Sequence, residues 1–295
     1  MESVLSRLIL IALNVKLWSG RRKLSTDDLG LAGTALPPDV VASLGSKRVC
    51  DPASIRVFAN VKSAAERLLD QHGLRFLGGY LVPEQAAPQL MQHLKDYQQR
   101  FAHERQTFMG RYDGMVADWV AAHPSWAEVI RRGVVPAERV ERQLQFSVEA
   151  YRVAAVDGVS TDLLQDIGQL EQTLRLELAA VCRQVLHESV AGRDRITRRA
   201  IRPLQMMTAK MEGLLFLSDE IQQLHGRVSS FLVSLPRRGH LSGYRLDALA
   251  ALLQELSHGD QPCVPSDTGG ESVMVPHSLP LVATPDGDLQ QSWFF

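Results

Sequence analysis

Near its start the chain alternates. Ile9, Ile11, Leu13, Val15 and Leu17 interleave with Asn14, Lys16 and Trp18, and a period of two with β-branched residues predicts a strand. The early part is apolar on both faces, so a helix over Val4–Leu13 competes with that reading. Lys47-Arg48-Val49-Cys50 has the composition of a second short strand. At Asp51-Pro52 the period changes to that of a helix. Asp suits the N-cap, Pro suits the first helical position, and Gly73 after His72 is a stop signal. Ile55, Phe58, Val61, Ala65, Leu68 and Leu69 form the stripe this helix would bury. Leu74–Val82, with Gly78-Gly79 inside, reads as a strand or a tight crossing.

Three longer apolar seams follow. From Glu84 to His123, Leu90, Leu94, Tyr97, Phe101, Phe108, Met115 and Trp119 recur at threes and fours, with Glu104 and Tyr112 on the same seam. A helix of that span is about 60 Å long. Its heptad-like spacing predicts a coiled-coil partner, and Gly110 and Gly114 mark a bend. After a short helix, a Gly-Val-Val-Pro turn and a strand over Leu144–Val153, a second long helix runs from Thr161 to Ala191. Its seam is Ile167, Leu170, Leu174, Leu178, Val181 and Val185, and Gly192 closes it. The third helical region, Thr197–Leu235, carries Leu204, Met207, Met211, Leu214, Ile221, Leu224, Val228 and Phe231 and ends at Pro236. A short helix over Tyr244–Leu256 comes last.

Gly30–Pro38 is a Gly- and Pro-rich loop. Beyond His258 the chain turns to Gly, Pro, Ser, Asp and Thr without a period, which predicts a disordered tail. The expected fold is therefore mostly α. It centres on a long antiparallel, coiled-coil-like hairpin, Glu84–His123 against Thr161–Ala191, with a small N-terminal β element. The expected segments are 1–82 (α/β), 83–257 (hairpin and helical bundle) and 258–295 (flexible tail).

Composition narrows the functional classes. Hydrophobic residues make up 45% of the 295, enough for a core. The 32 Lys and Arg balance 33 Asp and Glu, so no overall field draws the chain to nucleic acid or anionic lipid. Cys50, Cys182 and Cys263 form no CxxC pair, which suggests neither a disulfide framework nor a zinc knuckle and fits a reducing cytoplasm. The Leu8–Leu13 run follows Glu2 and lacks a small-residue cleavage site before Arg21-Arg22-Lys23. No stretch approaches the roughly 20 apolar residues of a membrane span.

Candidate chemistry is sparse. There is no HxxxH or HExxH pair, no phosphate-binding glycine loop and no GxSxG elbow. Neither a catalytic site, a cofactor nor a metal centre is expected. One basic cluster stands out: Arg193, Arg195, Arg198, Arg199 and Arg202, with Lys210 beyond. Helix starts favour anions rather than cations, so such a cluster suits an acidic partner surface, a phosphate backbone or packed acidic neighbours. A solvated face is the plain reading. Met206, Met207 and Met211 suit either core packing or an adaptable binding groove. Trp293-Phe294-Phe295 ends a polar stretch and could dock a pocket.

Several segments resemble one uncharacterised bacterial family. They are Trp18–Leu24, Leu44–Lys47 through Asp51-Pro52, Gly73–Tyr80, Lys210–Leu217 and Leu235–Gly239. The family is a domain of unknown function carried on conjugative elements and plasmids. Its genes lie beside a MoxR-type AAA+ ATPase and a von Willebrand A protein resembling cobalt-chelatase subunits. The resemblance covers the chain to about Leu256 and brings no catalytic residue. It implies a non-enzymatic adaptor in an ATPase–von Willebrand A assembly, in element maintenance or phage defence. The alternative is a nucleic-acid-binding accessory protein using Arg193–Arg202. Homo-oligomerisation stays open.

Overall fold

A computed structural model describes residues 2–30, 43–154, 161–236 and 239–258 of the chain. Most of the Gly30–Pro38 loop, Cys263 and the expected tail with Trp293, Phe294 and Phe295 lie outside the described residues, as do Arg237 and Arg238.

After a single helical turn, α1 (Glu2–Leu5), the alternating segment forms strand β1 (Leu8–Lys16). A small hairpin of β2 (Arg21–Lys23) and β3 (Ser46–Arg48) follows. Just beyond β2, Ser25 and Asp28 bond reciprocally, each backbone N–H donating to the other's side chain at 2.9 and 3.3 Å. Lys47 closes the motif with an ion pair to Asp28 at 2.5 Å, the Asp28 side chain buried and that of Lys47 largely so. Helix α2 (Pro52–His72) begins and ends where its signals predict. Asp51 caps it by accepting from the Ala53 N–H at 2.8 Å, and the Gly73 N–H donates to Leu69 O.

Strands β4 (Leu74–Phe76) and β5 (Gly79–Pro83) form a tight hairpin turning on Leu77 and Gly78, at φ 45° and 75°. Two successive positive φ values are the signature of a type I′ turn, which matches the twist of the flanking strands. Gly79 has a different role. A Cβ there would lie 2.7 Å from Ile11 O, so only glycine lets β5 approach β1 this closely. The long helix α3 (Ala87–Ala122) comes next, then α4 (Ala127–Arg131), α5 (Ala137–Arg142) and strand β6 (Gln145–Tyr151). The remainder is α6 (Thr161–Val185), a π turn over Leu186–Val190, β7 (Arg195–Thr197), α7 (Arg202–Glu212), α8 (Asp219–Ser234), β8 (His240–Ser242) and α9 (Tyr244–Ser257).

The main sheet is wholly antiparallel, in the order β4-β5-β1-β6. Its two faces enter separate cores. Ile11, Tyr80, Val82, Phe146 and Val148 pack with α2 and α3 around Phe58, Phe101 and Phe108. Leu8, Leu74, Phe76 and Leu81 pack on the other side with α6, α7, α8 and α9 around Leu174, Leu204 and Leu249. The helices thus cover β5 and the start of β1 on both sides, so those strands carry apolar residues on both faces, while β4 keeps Arg75 exposed on one face. That double cover explains why a helix over Val4–Leu13 competes with the strand in the sequence.

This architecture corrects the expected fold class. The protein is mixed α/β, with a four-stranded sheet between helical layers, not an all-α body around a coiled-coil hairpin. Phe101 and Leu174 are both buried, but in different cores. The seam of α3 packs on α2, β6, α4 and α5, and that of α6 packs on α7 and α9. Heptad-like spacing specifies an apolar stripe and not what covers it. Here sheet and short helices do so, and the 36 residues of α3, about 54 Å, serve to join them. Past Phe108 the buried stripe continues through Tyr112, Val116 and Val120 instead of Met115 and Trp119. The Ile167 side chain lies outside the described residues. The expected Thr197–Leu235 helix is broken at Gly213 and a 3-10 turn over Leu215–Leu217, giving α7 and α8. Among the described residues, no helix is long and apolar enough to cross a membrane.

Candidate interaction surface

The arginine cluster sits where α6 gives way to α7. Gly192, at φ 70°, turns the chain into β7, which pairs with β8 through Arg195↔Ser242, Ile196↔Leu241 and Thr197↔His240. The alternation buries Ile196 and leaves Arg195 outside. A 3-10 turn over Arg198–Ile201 leads into α7, with Pro203 in the first turn where its missing N–H costs nothing. The five guanidinium groups are not equivalent. Arg193 donates to Glu188 O at 3.1 Å, and half-buried Arg198 donates to Pro236 O at 2.8 Å, tying the start of α7 to the end of α8. Arg195, Arg199 and Arg202 are exposed, and among the described residues no carboxylate lies within ion-pair distance of them. Acidic neighbours within the described fold therefore do not account for these three.

Lys210, which extends the cluster in sequence, belongs elsewhere. It is buried, its ammonium donating to Asp70 O at 2.8 Å and pairing with Glu177 at 2.5 Å. The bond joins α7 to α2 and α6. Nothing in the sequence pattern links these residues, because 140 and 33 positions separate the partners.

Beside the cluster a cleft of about 430 Å³ runs between α7 and α8. Gln205, Thr208, Ala209 and Glu212 line it from α7, and His225, Ser229, Leu232 and Val233 from α8, with Arg198 and Leu235 at one end. The residues recur at threes and fours, so each helix contributes one stripe. The Thr208 hydroxyl donates to Leu204 O at 2.8 Å. Val233 is 82% exposed, an unusual position for a β-branched apolar residue. The methionines divide: Met207 and Met211 fill the core, while Met206 reaches solvent. The cleft was missed in sequence because its residues lie mostly off the apolar seams of α7 and α8, on mixed faces that read as ordinary solvated stripes.

Among the described residues, the cysteines and the one buried tyrosine hydroxyl without a partner are not activated. Burial pushes the Cys50 thiol up to about 11, Cys182 to about 12 and the Tyr80 hydroxyl to about 12. None of the three offers an anionic nucleophile near neutral pH. Among the described residues, no group of three His, Cys, Asp or Glu side chains could hold a metal ion.

A family model described as "Protein of unknown function (DUF3150)" matches residues 5–258. The chain belongs to this domain-of-unknown-function family. No curated protein and no solved structure matches it.

Proposed function

We propose that this DUF3150 member is a non-enzymatic interaction protein that binds an acidic partner protein through Arg195, Arg199 and Arg202. The observation that carries this reading is the exposure of three guanidinium groups with no carboxylate partner among the described residues. With five arginines to the one aspartate, Asp194, the stretch 193–202 is net basic, and a net basic patch attracts the opposite charge and steers encounter. All 32 Lys and Arg residues precede residue 259, and five acidic residues follow it, so residues 1–258 are net basic. The setting we propose, from the family resemblance in the sequence, is an adaptor role beside a MoxR-type AAA+ ATPase and a von Willebrand A protein on a mobile element. Element maintenance and phage defence are the processes it would serve there. The Trp293–Phe295 end would add a second contact in trans.

Co-purification of the chain with those two neighbours tests the reading. Replacing Arg195, Arg199 and Arg202 with Ala should abolish or strongly weaken the complex at physiological salt while thermal unfolding stays unchanged. Arg198 is left intact because it holds Pro236 O. A mobility-shift series with duplex DNA is the counter-test. Retention that falls with salt at a slope of about −0.9 per phosphate neutralised, and is lost in the same variant, would make the protein a nucleic-acid accessory factor instead.

A further inference from the structure

We infer that the cleft between α7 and α8 is the seat for an amphipathic helical segment of a partner protein. The segment would set an acidic residue against the Arg198–Arg202 end and a large apolar residue on the Leu232–Val233 wall. This deepens the interaction reading above and rests on it.

Shape is the first argument. The Arg198 bond to Pro236 O brings the start of α7 to the end of α8, so the two helices run antiparallel and leave a trough between them. Helix α7 has 11 residues, about 16 Å, which accommodates roughly three turns of a third helix. Laying an amphipathic helix into such a groove is a recurrent mode of recognition. Chemistry is the second argument. Val233 stands 82% exposed beside half-buried Leu232, and Met206, at 38%, is an adaptable apolar side chain on the neighbouring stripe of α7. Burying these apolar surfaces under a partner's anchor would remove them from water.

Charge decides the class of occupant. Arg202 lies one turn before Gln205 on the same face of α7, and Arg199 and Arg195 precede it in the chain, exposed and without carboxylate partners among the described residues. An acidic side chain on the incoming segment meets that end. A phosphate backbone fits less well. Glu212 lines the same cleft, no Phe, Tyr or Trp among the described residues lines it for base stacking, and the Val233 wall offers a phosphate nothing.

A peptide-display selection on the full chain tests this, using random peptides of about 14 residues, near four helical turns. Enriched peptides are then measured by fluorescence anisotropy beside a labelled duplex DNA. The expected peptides pair Asp or Glu with Leu, Phe, Ile or Trp at three- and four-residue spacing. Their affinity should fall with salt, and Val233→Glu should weaken them by about tenfold or more, as for a central anchor. Ala209→Trp, which fills the cleft from an exposed position, should do the same. The inference fails if no peptide is enriched, if enriched peptides lack that pattern, or if neither variant changes their affinity. It fails equally if duplex DNA binds and displaces them. Loss of the neighbour complex in the triple arginine variant but not in Val233→Glu would sink the cleft and leave the interaction reading standing. A complex that survives both variants would sink both.

Discussion

Asp28 shows how one buried charge is kept. Its carboxylate accepts from the Lys47 ammonium at 2.5 Å and from the Ser25 N–H at 2.9 Å. The Lys47 contact first, and then the Ser25 N–H, hold its pKa at about 2, below the ordinary 3.8. A depressed carboxylate contributes stability that is present above the unfolded value and lost as pH falls through the folded one. The expected outcome is an acid limb between about pH 3.8 and about 2 in the stability profile, measured by urea unfolding across pH. Asp28→Asn should flatten that limb. Lys47→Ala should cost about 3 kcal/mol at neutral pH, because it leaves the buried carboxylate without its counter-charge. A limb of the same depth in Asp28→Asn would assign it to another group.

At the scale of elements, termini were far more legible than partners. Asp51-Pro52 and Gly73 locate both ends of α2, because caps and stops act within a few residues of each other. What α3 and α6 pack against was not legible, since an apolar stripe is the same whether a helix or a sheet covers it. The assignment of Phe101 and Leu174 to separate cores makes a sharp prediction. Phe101→Ala and Leu174→Ala should each destabilise by about 3–5 and 2–5 kcal/mol. Their combination should be additive to within about 0.5 kcal/mol, because the sites share no neighbours. A coupling well above 1 kcal/mol in the denaturant double-mutant cycle would restore a direct contact between the two long helices.

Across the whole molecule, the two helical layers meet beside β4, where α2 and α6 both approach the sheet's outer strand. Lys210 is the polar clasp at that junction, holding Asp70 O of α2 and the Glu177 carboxylate of α6 from α7. Lys210→Met keeps the apolar stem but strips both acceptors of their donor. Both acceptors are partly open to water, so the substitution should lower stability by only about 1 kcal/mol, the net worth of a part-buried charged hydrogen bond. Hydrogen exchange should quicken in α7 before it does in α2. A urea midpoint unchanged from wild type would show that the stem alone carries the junction. The cleft opens from the opposite face of α7, towards α8, while Lys210 faces α2 and α6, so this variant is expected to leave partner binding intact when the protein is folded.

Period, caps and turn glycines are local quantities, and the sequence by itself determined what depends on them: α2, the β4–β5 crossing, α9 and the reach of α3. Tertiary structure decided the rest. It chose the strand reading of Leu8–Leu13 over a helix by pairing that segment with β5 and β6. It broke the Thr197–Leu235 stretch into α7 and α8, whose facing polar stripes enclose a cleft. It also drew Lys210 out of the basic cluster into a clasp whose partners are remote in sequence. Each of these outcomes depends on which surface meets which. Burial free energy follows the area covered and not the identity of the covering element, so one apolar pattern admits several partners until the whole chain is packed.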